Sequence, residues 1–281
     1  MRYAYLPQYP VRELSIPHQQ IEILGVCEED ILKFYNALTP AYSYQGEENS
    51  ILASFPYAEN LKTEATITAG EIVVGRDKEI RTMLECLERS ENKGLLIVGD
   101  SGIGKTALID AFVKEICHNK DELLQQVSIV GLNTAKLLAA TSSENEIAQK
   151  VVALMHKLNQ LDRVGLVIDD LQVLLENGTS GKATTLINIL NAQISEGACN
   201  LILTITNDAY RKHIEKHSIE SRLDIIKIEE LDHSTLLCSL YRHKNRIEEY
   251  YGLSIADNCV LNIIQLIQTL FQRTKFAISC H

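Results

Sequence analysis

From residue 71 onward the chain alternates short, unbroken apolar runs with longer segments whose apolar positions recur three and four apart. "GLLIVG" (94–99), "QQVSIVGL" (125–132), "VGLVID" (164–169) and "NLILTIT" (200–206) are runs of the first kind. Continuous apolar character over so few residues predicts strands buried on both faces. The segment from Lys105, "SENEIAQKVVALMHKL" (143–158), "TTLINILNAQISE" (184–196) and the polar "AYRKHIEKHSIESRL" (209–223) read as the intervening helices. "DIIKIEEL" (224–231) reads as a short fifth strand. Strands separated by helices in this rhythm predict an α/β domain, with a parallel sheet covered by helices on both faces. Beyond about Glu230 only helical spacing remains, in "STLLCSLYRHKNRIEEYYG" and "ADNCVLNIIQLIQTLFQRT".

Residues 1–70 lack both rhythms. They hold seven of the eleven tyrosines and one predicted helix, "CEEDILKFYNAL" (27–38). The expected organisation is therefore an N-terminal segment over 1–70 with no assigned chemistry, read as either a small docking element or a partly disordered stretch, an α/β domain over 71–229 and a helical domain over 230–281.

Composition changes this picture little. With 46% hydrophobic residues in 281, the chain can bury one large core or two modest ones. Its 27 basic against 37 acidic residues argue against a nucleic-acid-coating role, because the phosphate backbone rewards clustered Lys and Arg. No apolar run approaches the roughly 20 residues that cross a bilayer, and "MRYAYLPQYPVREL" does not read as a secretory signal. The seven cysteines are scattered and never spaced as CxxC, which predicts reduced thiols and a cytoplasmic setting. His213 and His217, in "KHIEKH", have a spacing that can hold zinc on a helix. With no third ligand in sight, the pair reads as part of a solvated face.

The strongest chemical signal follows the first strand. Gly99, Asp100, Ser101, Gly102, Ile103, Gly104, Lys105 and Thr106 match GxxxxGK[ST] in full, between a predicted strand and a predicted helix. Glycines let backbone N–H groups curl around a phosphate, and the helix beginning at Lys105 adds the positive end of its dipole. Ala107 lies in that same first turn. The Lys105 ammonium suits the outer phosphates of ATP, and the Thr106 hydroxyl suits Mg²⁺. "LVIDDL" supplies a second metal-positioning group, Asp169, at a strand's C-terminal end, and leaves Asp170 to orient the attacking water.

These motifs together resemble the AAA+ ATPases, and among them the first ATPase module of the Clp-type unfoldases and disaggregases. "VVGRDKEIRTMLECLERSENKGLLIVGDSGIGKTALIDAFVKEI" (73–116) is similar to their adenine-side box and P-loop, and "GLVIDDLQVLL" to their Walker B strand. "TNDAYRKHIEKHSIESRL" (206–223) resembles the stretch from sensor threonine to arginine finger, and "GLSIADNCVLNIIQL" resembles part of the helical lid. The resemblance implies that Val73, Val74 and Gly75 flank the adenine. It implies that Thr206 senses the terminal phosphate, and that Arg222 reaches a neighbouring subunit's nucleotide in a ring of like or related AAA+ subunits.

Three departures bear on function. Ser143 stands where the resemblance places a pore aromatic, so threading of a polypeptide is not expected. Asp170 replaces a glutamate and is one methylene shorter. Ser221-Arg222 replaces two arginines, the lid is expected to be truncated, and no second ATPase module is expected. Two functions stay open. One is an ATPase, with Mg²⁺ as its metal and turnover slowed by the short carboxylate, that assembles or remodels a protein partner. The other is a nucleotide-gated scaffold that binds ATP and scarcely hydrolyses it.

Overall fold

The computed structural model describes residues 48, 50–63, 73–88, 94–119, 121, 124, 126–141, 144–161, 163–176, 183–196 and 200–266. The helix expected over 27–38 and the pore-loop position Ser143 lie outside these residues. The chain divides into two compact units, Met1–Ser50 and Ile51–His281, and every element below belongs to the second.

Six strands form one sheet. They are β1 (Ala58–Asn60), β2 (Gly94–Val98), β3 (Ser128–Leu132), β4 (Val164–Ile168), β5 (Asn200–Ile205) and β6 (Leu223–Lys227). Their spatial order is β1-β3-β4-β5-β2-β6. All pairs are parallel except β1 with β3, which run antiparallel at the edge. β1 lies within the stretch that the sequence pattern set apart from the sheet. Three half-buried residues are too few to display a period, so only the pairing of Ala58 with Leu132 and Asn60 with Val130 identifies them as a strand.

The continuous apolar runs are buried on both faces, as their composition requires: every residue of β2, β3 and β4 is buried. On one face Leu95, Ile97, Ile129, Val167 and Ile202 form a core with Leu108, Phe112 and Ile116 of helix α2 (Lys105–His118) and Met83 of helix α1 (Asp77–Glu88). Each such side chain contributes about 1.5–3 kcal/mol through burial. Helices α3 (Thr134–Ala139), α4 (Glu144–Leu158), α5 (Leu171–Glu176) and α6 (Ala183–Glu196) complete the strand connections through β5, and α4 and α6 pack on each other.

The segment 209–223 is not the single helix its polarity suggested. Helix α7 (Asn207–His213) stops at Ile214, and a short 3-10 turn (Glu220–Arg222) precedes β6. Glu220 supplies the cause. Its carboxylate accepts the Tyr210 hydroxyl at 2.6 Å and the Lys216 backbone N–H at 2.7 Å, drawing the chain into a loop in which Lys216 has φ 64°. The same bond pushes the Tyr210 phenol up to about 12 and holds the Glu220 carboxyl below its ordinary range. His213 and His217 consequently do not share a helix face. Among the described residues, no group of three or more His, Cys, Asp or Glu is placed to hold a metal ion.

After β6 the described chain is helical: α8 (His233–Tyr251), then α9 over residues 257–266. Asp232 caps α8 by accepting the Thr235 N–H, and Gly252 ends it at φ 62°.

Candidate functional site

β2, β4 and β5 run in the same direction and end side by side, so the three segments that follow them emerge at one edge of the sheet. This is where open parallel sheets place ligands. After β2 comes the glycine-rich loop, after β4 the Asp169-Asp170 pair, and after β5 Thr206 and Asn207.

The loop has the backbone its glycines predict. Gly102 and Gly104 take φ 78° and 98°, the left-handed region, and a Cβ at either would meet nothing within 4 Å. The loop is therefore open on its outer side. α2 starts directly after it, at Lys105, so unpaired N–H groups of the first turn face the same space. Gly99 is required for a different reason: a Cβ there would lie 2.9 Å from Ile103 Cγ2 and 3.2 Å from the Ile228 carbonyl. Ser101, Gly102, Gly104 and Thr106 are exposed, while Ile103 and Ala107 are half-buried. Lys105 is buried, and its ammonium donates to the Gly99 and Asp100 carbonyls, each at 3.0 Å.

Across the sheet edge the Thr106 hydroxyl donates to Asp169 Oδ2 at 2.7 Å, although the two residues are 63 positions apart. The two predicted metal ligands thus meet. Asp169 Oδ1 accepts the hydroxyl of Thr204, which is wholly buried on β5, at 2.5 Å. The Asp170 backbone N–H reaches both Asp169 Oδ1, at 3.1 Å, and Thr204 Oγ1, at 2.8 Å. Asp170 itself has φ 53°, a conformation that Asn and Asp adopt more readily than other side-chain-bearing residues. Its Oδ1 accepts the Gln172 side-chain amide at 2.7 Å.

Thr206 caps α7, its hydroxyl accepting the Ala209 N–H at 3.3 Å, while the next residue reaches the loop: Asn207 Nδ2 donates to Asp100 Oδ1 at 2.6 Å. Arg222 stands farther along, in the 3-10 turn. It is half-buried and donates from Nη1 to the Asn191 carbonyl at 3.2 Å. Val73 and Val74 are half-buried beside Gly75, which has φ 78° and sits against Thr235 of α8. The following residue, Arg76, is buried. It donates to the Glu229 carbonyl at 2.7 Å and to Glu79 Oε1 at 3.1 Å, the pairing that a buried cation demands. The expected adenine-side segment is thereby tied to the chain entering α8.

Thr204, Asn207, Gln172 and Arg76 are the participants that the sequence reading missed. Thr204 carried a signal, a hydroxyl within an otherwise apolar strand core. Arg76 carried a second, a charge directly after a glycine turn. Asn207 and Gln172 have no signature apart from adjacency to a motif.

The residues present fit a magnesium-bound nucleoside triphosphate. The open glycine loop, a helix N-terminus, the Lys105 ammonium and a hydroxyl–carboxylate pair converge at one edge. A family model described as Novel STAND NTPase 1 matches residues 67–240, well over half of the chain. The chain belongs to this NTPase family. The AAA+ resemblance is borne out by relatives of the Clp type. The chaperone protein ClpB of Mycoplasmoides gallisepticum is 28% identical over 225 residues, covering 78% of this chain and 31% of the relative. The negative regulator of genetic competence ClpC/MecB of Bacillus subtilis is 28% identical over 249 residues, covering 86% and 30%. The Hsp104–ADP complex of S. cerevisiae superposes with a TM-score of 0.65 at 26% identity, covering 75% of this chain and 36% of that one. This NTPase thus has the AAA+ P-loop α/β fold, and it spans about a third or less of the length of those curated relatives.

Proposed function

We propose that this NTPase binds Mg·ATP at the β2–β4–β5 edge and hydrolyses it to drive assembly or remodelling of a protein partner. The observation that carries the reading is the 2.7 Å bond between Thr106 and Asp169, which brings both expected magnesium ligands to one point beside the glycine loop. When bound, the metal ion supplies charge stabilisation to the phosphoryl oxygens. Gly102, Ile103, Gly104 and Lys105 offer N–H groups and an ammonium to the phosphates. Asp170 accepts a proton from, and orients, a water molecule. Thr206, at the end of β5, senses the terminal phosphate, while Asn207 meets the loop at Asp100. Val73, Val74 and Gly75 flank the base. Arg222 completes a neighbouring subunit's site in a ring, because its planar, permanently charged fork matches a phosphoryl group in transfer. A protein as the substrate class accords with one structural neighbour, a complex of S. cerevisiae Hsp104 with casein. The proposed setting is cytoplasmic.

The test has two parts. Lys105→Ala should abolish saturable ATP binding in a folded protein. ATPase rate per subunit should rise with protein concentration, and Arg222→Ala should remove that rise. A rate that is flat with concentration and indifferent to Arg222 removes the shared-site reading.

A second reading, the nucleotide-gated scaffold, is favoured by one specific observation: the Asp170 carboxylate is short, and it is engaged by Gln172. ATP binding at full occupancy with turnover near zero would select it.

A further inference from the structure

Apart from Ser128 at the start of β3, the buried positions of the central strands are apolar until β5, which departs from that at one buried position. Thr204 is 0% exposed between Leu203 and Ile205, both buried, and pairs laterally with Ile97 of β2. A hydroxyl at such a place requires partners. It has two, and both belong to the acidic pair. Thr204 Oγ1 donates to Asp169 Oδ1, and its lone pair accepts the Asp170 N–H. The other oxygen of Asp169, Oδ2, is the one that meets Thr106.

The division of labour follows from this geometry. With Oδ1 fixed from the β5 side, the Asp169 carboxylate has one orientation, and it turns Oδ2 toward the P-loop hydroxyl. The Asp170 N–H is fixed by the same oxygen, so the left-handed turn that carries the second carboxylate is held by Thr204 as well. A valine would fill the same volume and leave both tasks undone. We infer that Thr204 is a positioning residue, acting through Asp169 to set magnesium affinity and through the Asp170 N–H to hold the turn after β4. The inference rests on the Mg·ATP reading above. It adds a specific dependence that this reading does not contain.

The experiment measures fluorescent ATP-analogue binding to the full chain, in saturating Mg²⁺ and in EDTA, for wild type, Thr204→Val and Thr204→Ser. Outer-shell partners of metal ligands typically alter metal affinity by about 10–100-fold. Thr204→Val should therefore lose about tenfold or more of the gain in affinity conferred by Mg²⁺, while binding in EDTA stays within about twofold of wild type. Thr204→Ser, which keeps the hydroxyl and drops only a methyl group, should restore the gain. Should Thr204→Val not fold, Thr204→Cys provides a side chain of similar size with a weaker donor, and the same loss is expected.

Three results overturn the inference. The valine variant could show an unchanged Mg²⁺ gain, or the serine variant could be as impaired as valine. Binding could also fall equally in EDTA and Mg²⁺, which would mark a general packing role. If wild type binds the analogue no better with Mg²⁺ than without, the failure lies with the Mg·ATP reading itself.

Discussion

Replacing Gly75 by alanine would set two separable costs against the junction between the 73–76 segment and α8. The first is conformational. Gly75 has φ 78°, and an L-residue held in the left-handed region costs about 1–2 kcal/mol. The second is steric. The new Cβ would lie 2.2 Å from Thr235 Cγ2, far inside contact distance. Thr235 is not free to turn away, because its hydroxyl donates to Asp232 Oδ2 and its N–H to Asp232 Oδ1, each at 2.8 Å. Either that hydroxyl bond breaks or the first turn of α8 shifts, and overpacking of this kind costs about 1–3 kcal/mol. Gly75→Ala should thus destabilise by about 2–5 kcal/mol. Thr235→Ser removes the offending methyl group and keeps the hydroxyl, so in that background only the conformational part, about 1–2 kcal/mol, should remain. Urea unfolding of the four proteins of this cycle, without nucleotide, reads the coupling directly. Equal costs of Gly75→Ala in both backgrounds would refute the contact. A total cost below about 1 kcal/mol would refute the strained turn as well.

Two further outcomes follow from the site and the cap. Asp170→Glu extends the second carboxylate by one methylene. Misplacement by about an ångström can cost a hundredfold, so ATP turnover should rise by up to about that factor, with a small loss of stability because glutamate tolerates φ 53° less well than aspartate. Unchanged steady-state hydrolysis would show that carboxylate reach is not limiting. Asp232 is depressed to about 2, chiefly by the Ser234 hydroxyl and then by the N–H and hydroxyl of Thr235. A carboxylate with a folded value below its ordinary 3.8 adds stability that is complete above that value and fades as pH falls toward 2. Asp232→Asn should flatten the stability–pH curve across that window, as read by thermal unfolding at closely spaced pH values. An unchanged curve would show that this cap does not titrate with folding.

The sheet and the P-loop were legible because they follow from local rules. Runs such as "LLIV" are too apolar to face water on either side, and GxxxxGK[ST] needs its glycines for backbone reasons visible in the chain itself. What escaped was set by partners distant in sequence. β1 is a strand only because Leu132 and Val130 pair with it. The segment 209–223 has enough helix-forming residues to read as one helix, yet Glu220 competes for Tyr210 and the Lys216 N–H, and the tertiary bonds win. Thr206 illustrates the same limit at the site. Sequence alone gave its position at the strand end, whereas its hydroxyl serves the α7 cap, and Asn207 makes the bond to Asp100.

Bonds between distant residues also fix where the C-terminal helices join the rest of the chain. α8 is 19 residues long and contains no buried residue, so core burial does not fix its direction. Arg76 holds the chain at the Glu229 carbonyl, and Asp232 caps the helix, leaving Glu230 and Leu231 between the two anchors. Gly75 bears on Thr235 immediately beyond, and Lys244 of α8 bonds Asp257 of α9. Leu231 also lies against Gly75, where a Cβ would be 3.6 Å from Leu231 Cδ2, so the chain entering α8 meets the 73–76 segment at Glu229, Leu231 and Thr235 in succession. Under the proposed assignment of Val73 and Val74 to the base, a bound nucleotide would sit beside the segment that holds the chain entering α8 through Gly75 and Arg76.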